Sequence, residues 1–185
     1  ASARGGSEWA HKTAQGRAII HSSDIEDGEA RFDHGVRLVA NYGAAVVVGC
    51  IDEEPQQGMA VTTARKLEIA QRAFTILTEK HGLAPSDIIF DALVFPCGTG
   101  DTNYIGGAVE TTAGLRLIKQ NIPYVRTARG ISNISVGLPA APREATNSGS
   151  PSPPTHARHT LAIPHAAHMY ASASYPDHRP RPPEA

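Results

Sequence analysis

The chain has 185 residues, enough for one ordinary domain with a sizeable core and short of the roughly 250 that a closed (β/α)8 barrel needs. Its 17 Lys and Arg nearly cancel 18 Asp and Glu, and no basic cluster follows an amphipathic stretch, which excludes an electrostatic nucleic-acid footprint and favours a small neutral or anionic ligand. Cys50 and Cys97 lie in apolar or Gly-rich surroundings with no CxxC or paired-His context, so neither a disulfide framework nor a zinc site is expected. No run reaches about 18 apolar residues and no signal-like segment opens the chain, so a cytoplasmic protein without a membrane span is expected.

From Arg17 onward short apolar runs alternate with longer amphipathic ones, the pattern of parallel strands joined by crossover helices. Residues 17–22 and 44–51 read as strands. Between them 28–42 reads as a helix with Phe32, Gly35 or Val36, and Val39 on one face and Gly43 at its end. The clearest helix runs over 64–81: Leu67, Ala70, Phe74 and Leu77 repeat at helical spacing, Thr62 or Thr63 caps its start, and Gly82 stands where a C-terminal cap belongs. Residues 88–91 form the next strand. A helix over 105–120 is expected to bury Val109, Leu115 and Ile118, after which 124–128 is a strand and Gly130 opens another loop. The result is an α/β chain with four strand-helix steps, the last unfinished.

Three segments follow from composition. Residues 1–15 are rich in Gly, Ser and Ala with an isolated Trp9, and their status is open; 16–145 carry the α/β pattern; 146–185 turn abruptly to Ser, Pro, His and Ala. No run in this last segment can bury an apolar face to offset the entropy of ordering it, so disorder is expected. The pairs His156/His159 and His165/His168 find no scaffold there for a metal. The switch after Glu144 or Ala145 reads as a frame change or truncated gene model.

Four stretches fall at predicted strand ends: Ile19 to Gly28 (IIHSSDIEDG), Val46 to Glu54 (VVVGCIDEE) with Gly58-Met59-Ala60 behind it, Asp87 to Asp91 (DIIFD) leading to Val94-Phe95-Pro96, and Gly130 to Pro139 (GISNISVGLP). In order and spacing they resemble the pterin-binding barrel of cobalamin-dependent methionine synthases. They also resemble the related methyltransferases acting from methyltetrahydrofolate on a corrinoid/iron–sulfur protein. The resemblance implies a partial TIM (β/α)8 barrel of the dihydropteroate synthase-like type, with about four strands present. It implies a module that binds 5-methyltetrahydrofolate and passes its methyl group to cob(I)alamin carried by a separate domain. Homocysteine and its zinc belong to another module, so no metal ligands are expected here.

The resemblance also assigns roles. Asp91, at a strand end, would accept hydrogen bonds from the amino and ring N–H groups of a pterin; the plainer alternative is a loop or capping aspartate. Asn133 would reach the N5 region, where a side-chain amide suits a ligand whose proton count changes, and is the expected catalytic residue; otherwise it is a left-handed loop asparagine. Arg143 would lie near bound folate. The run Asp52-Glu53-Glu54 reads first as a solvated loop or the approach to a helix, and Gly98-Thr99-Gly100-Asp101 as a strand-to-helix loop, since it lacks a P-loop's lysine.

The chain departs from the family at His21, and commonly at Asp24, where asparagine is usual. An imidazole differs in shape and carries a proton that moves near neutral pH, so weaker pterin binding is expected. The family's first three strands and its eighth have no counterpart, which makes independent stability doubtful, because an unclosed barrel leaves two sheet edges exposed. Two alternatives follow: an inert barrel fragment without pterin binding, and a dihydropteroate synthase-like enzyme. The latter would carry a Ser-Arg-Lys type motif where this chain reads Ile131-Ser132-Asn133.

Overall fold

The computed structural model describes residues 12–56, 58–96, 98–100, 102–143 and 161–163. Its centre is a five-stranded parallel sheet in sequential order: β1 (Ile19–Ser23), β2 (Ala45–Gly49), β3 (Ile88–Asp91), β4 (Arg126–Gly130) and β5 (Leu161–Ile163). The crossovers carry α1 (Glu29–Tyr42), α2 (Thr63–Thr75) and α3 (Gly107–Asn121), and a single turn, α4 (Ile131–Ile134), follows β4. Sequential order and parallel pairing place every strand's C-terminal end at one edge of the sheet. Among the described residues no helix is long and apolar enough to cross a membrane.

The two sheet faces differ. Val46, Val48, Ile88 and Phe90 pack with Phe32, Val36 and Val39 of α1, Ile69, Ala70 and Ala73 of α2, and Leu115 and Ile118 of α3 in one core. Each fully buried Ile or Phe there contributes about 1.5–3 kcal/mol as an upper estimate. Ala45, Val47, Ile89 and Ala128 form a smaller cluster on the opposite face, with Leu161 against it. That second face corresponds to the inside of a barrel. β2 is buried along its whole length, so it reads as a continuous apolar run and not an alternating one.

The helices end where the sequence marks them. Gly43 is left-handed at φ 61° and closes α1. Thr62 Oγ1 accepts the Arg65 amide at 3.3 Å at the start of α2, which continues as a π-helical turn over Ile76–Lys80 before Gly82 at φ 67°. The Glu110 carboxylate on α3 accepts the Thr63 amide at 2.6 Å and its hydroxyl at 2.7 Å, tying two helices together. These bonds hold its pKa below the usual carboxylate range.

Four expectations are corrected. The last predicted strand begins two residues late, at Arg126, because Tyr124 takes a positive φ of 68° that no strand accommodates. Val109 is 71 % exposed, since at about 100° per residue it lies on the side of α3 opposite Ile118, and the buried face carries Thr111, Gly114, Leu115 and Ile118 instead. Asp52 is no solvated loop acid: it is buried and paired with Arg65 at 2.6 Å, while Glu53 and Glu54 are exposed. The strand β5 falls inside the Ser/Pro/His-rich segment, where no element is expected. The four histidines singled out there, Trp9, Cys97 and Asp101 lie outside the described residues.

Gly114 of α3 faces the buried side chain of Lys66 on α2, and a Cβ there would stand 2.7 Å from the lysine Cδ. Lys66 is held at its far end, so it cannot simply swing aside. Gly114→Ala is therefore expected to destabilise by about 1–3 kcal/mol despite alanine's higher helix propensity. Urea unfolding measures this.

Candidate functional site

The C-terminal sheet edge gathers the residues singled out in the sequence. Asp91 ends β3, in register with Gly49 of β2 and Ala128 of β4. In a parallel ladder, partnered residues share a face, so Asp91 lies on the side of Ala128, Ile89 and Val47, the inner one. His21 pairs with Val47 and shares that face, exposed. Burial raises the Asp91 pKa above the usual carboxylate value; the Leu93 amide, which donates to Oδ1 at 2.9 Å, lowers it, as do His21 and Lys66. Among the described residues Oδ2 has no hydrogen bond. A half-buried carboxylate with one oxygen engaged and one available is chemically able to receive a neutral N–H edge.

Asn133 sits in α4, directly beyond β4, with an exposed side chain. A Cβ on Gly130 would come within 3.4 Å of its amide nitrogen, so the glycine leaves the space the amide lies over. The loops after β3 and β4 meet backbone to backbone: a Cβ on Gly98 would be 2.9 Å from the Gly137 carbonyl carbon, and Gly137 itself has φ 86°. The structure thus brings the loops of Asp91 and Asn133 together at one rim. Arg143 follows, half-buried, its amide bonded to the Pro139 carbonyl at 2.9 Å and its Nε buried with no partner among the described residues. Nothing places its guanidinium against Asp91. An open cleft of about 730 Å³ at the same edge is lined by Glu26, Asp52, Glu53, Glu54, Met59 and Tyr104 among others. Its carboxylates disfavour an anionic ligand.

Three residues beneath the rim were not singled out in the sequence. Lys66 of α2 is fully buried, and its ammonium donates to the carbonyls of Ala60 at 2.6 Å, Leu93 at 3.3 Å, and Ala92. Burial lowers its pKa to about 8. The Thr111 hydroxyl of α3 also donates to the Leu93 carbonyl, at 2.7 Å. Leu93 has φ 51°, a left-handed conformation costing on the order of 1–3 kcal/mol for a residue with a side chain. The nearby Cys50 thiol is buried and pushed up to about 12, so it is no nucleophile.

Because the folded state raises the Asp91 pKa, it binds a proton more tightly than the unfolded chain, and stability falls as pH rises from the ordinary 3.8 through the raised value. Asp91→Asn keeps an oxygen acceptor for the Leu93 amide and removes the buried charge. It is expected to be more stable than the parent at pH 7, and the difference should vanish well below pH 3.8. Urea midpoints across pH read this out; a neutral-pH loss of stability in the variant would contradict it.

Comparison with known proteins gives the context. The family model described as "Pterin binding enzyme" matches residues 9–172. The chain is 42 % identical over 136 residues to a methionine synthase of Mycobacterium tuberculosis (strain ATCC 25618 / H37Rv), and 40 % identical over 136 residues to one of Mycobacterium leprae (strain TN). Each match covers 72 % of this chain and 11 % of the relative, so the chain spans about a tenth of the length of these proteins. The unclosed parallel sheet with helices on one face is part of a barrel of the family's type. With the match running over most of its length, the chain belongs to the pterin binding enzyme family.

Proposed function

We propose that the chain is the folate-binding part of a methyltransferase of methionine synthesis, seating 5-methyltetrahydrofolate at the C-terminal rim of the sheet. The observation that carries this is Asp91, a half-buried carboxylate at the end of an inner-face strand, with its Oδ2 open among the described residues. In this reading Asp91 accepts from the pterin's amino and ring N–H groups, and Asn133 meets the N5 region from the neighbouring loop. His21 borders the pterin from β1, and Arg143 lies toward the rest of the folate.

The reaction is displacement at the methyl carbon, and a tertiary amine leaves well only when N5 gains a proton. An amide beside N5 serves both states, because it can donate or accept. Holding the ring fixed removes the orientational entropy of the encounter. Among the described residues the rim offers a carboxylate, an amide and an imidazole, which suit a pterin edge. The nucleophile that takes the methyl is supplied by cob(I)alamin borne on a cobalamin-binding domain, the partner this reading requires.

Exposure of Ile19, at 54 %, and of His21 on the inner face favours a second reading, a barrel piece that binds pterin weakly or not at all. Calorimetric titration of the full chain with 5-methyltetrahydrofolate separates the two. Binding is expected, with Asp91→Ala losing about 2–4 kcal/mol, the range for truncating a charged hydrogen-bond partner, and Asp52→Ala losing little. Equal affinity of Asp91→Ala and the parent would overturn the assignment, and no heat with the parent would favour the second reading.

His21 supplies a separate check. His21→Asn restores the donor-acceptor pair of a side-chain amide at this position, so tighter folate binding is expected. Identical affinities of the variant and the parent would show that the position does not meet the pterin.

A further inference from the structure

Leu93 is held in a left-handed conformation two residues past Asp91, the last residue of β3, and uses both its backbone groups. Its N–H donates to Asp91 Oδ1, and its carbonyl accepts from Lys66 Nζ and Thr111 Oγ1. Such a backbone persists only when its surroundings over-determine it. The two donors arrive from two different helices, α2 and α3, and the lysine also binds Ala60 and Ala92, so one buried ammonium ties the loop after β2 to the loop after β3. A fully buried lysine on a helix is costly unless its charge is solvated by the protein, and here backbone carbonyls do so. Gly114 leaves the gap through which its stem passes.

We infer that Lys66 is a positioning residue: by fixing the Leu93 carbonyl together with Thr111, it holds the Leu93 amide against Asp91 and so aims the open carboxylate oxygen across the rim. Its consequence for ligand binding rests on the pterin site proposed above, whereas the coupling from Lys66 to Asp91 stands independently of it. The titratable groups that face Asp91 are His21, Lys66 and Cys50.

The test uses the full chain, with Lys66→Met, close in shape and without charge, and Thr111→Val, which removes only the hydroxyl bond. The side-chain carboxyl carbon of Asp91 and the amide of Leu93 are followed by NMR through a pH titration. In the parent the Leu93 amide is expected to track the Asp91 carboxyl; in each variant that tracking shrinks, more in Lys66→Met, and the Asp91 midpoint rises. Thr111→Val carries no change of charge, so a shift there comes through Leu93 and not through lost Coulomb attraction. It also carries the test if Lys66→Met fails to fold. Parental tracking in Thr111→Val would overturn the inference. In calorimetry with 5-methyltetrahydrofolate, Lys66→Met is expected to weaken binding about tenfold, as a displaced carboxylate would. A parent that does not bind sinks the pterin reading alone, and the NMR comparison still decides the role of Lys66.

Discussion

The parallel register of β2 and β3 is the constraint on which the site depends. Val46 to Gly49 runs beside Ile88 to Asp91 without a bulge, and the Cys50 amide extends the ladder by donating to the Asp91 carbonyl at 3.0 Å. A one-residue slip would exchange the faces of Ile89 and Phe90 and turn Asp91 away from the inner face into the helical core. The register is secured from the helix side by Ile88 and Phe90, both fully buried, and from the inner side by Val47 and Ile89. The position of one polar residue is thus the product of apolar packing on two faces.

Above that frame the chain carries features that cost stability and have no evident packing return. Leu93 is left-handed, Asp91 is half-buried with a raised pKa, and Lys66 is an ammonium inside the core. Hydrogen bonds link all three. Strain and buried charge concentrated at the loop edge of a well-packed sheet are expected where geometry serves a ligand more than the fold. The same cannot be said of Asp52, whose burial is answered by Arg65 and whose role in joining the β2 loop to α2 is structural.

Much of the fold was legible because its signals are local. The strand 88–91 is an unbroken apolar run that ends on a carboxylate, and α1 shows its buried face at Phe32, Val36 and Val39 with glycine at its close. The rest depended on tertiary facts. Lys66 belongs to the stripe of Ala70, Ala73 and Leu77, one turn nearer the N-terminus, yet a lysine in a helix reads as a solvated residue unless that stripe is followed backward. Val109 was grouped with Leu115 and Ile118 as an apolar residue of the same helix, yet steps of six and nine residues carry it to the opposite side, which leaves it on the outside. Strand β5 was illegible because three residues carry no periodicity, and only β4's open edge defines where they pair.

The central claim is that a pterin belongs at the C-terminal rim between the β3 and β4 loops. Amide chemical-shift mapping on adding 5-methyltetrahydrofolate tests it most directly. The account predicts saturable shifts concentrated at Asp91, Leu93, Gly130 and Asn133, with His21 affected from β1. Shifts centred instead on the acidic cleft of Glu53 and Glu54, or on the opposite edge of the sheet, would contradict it.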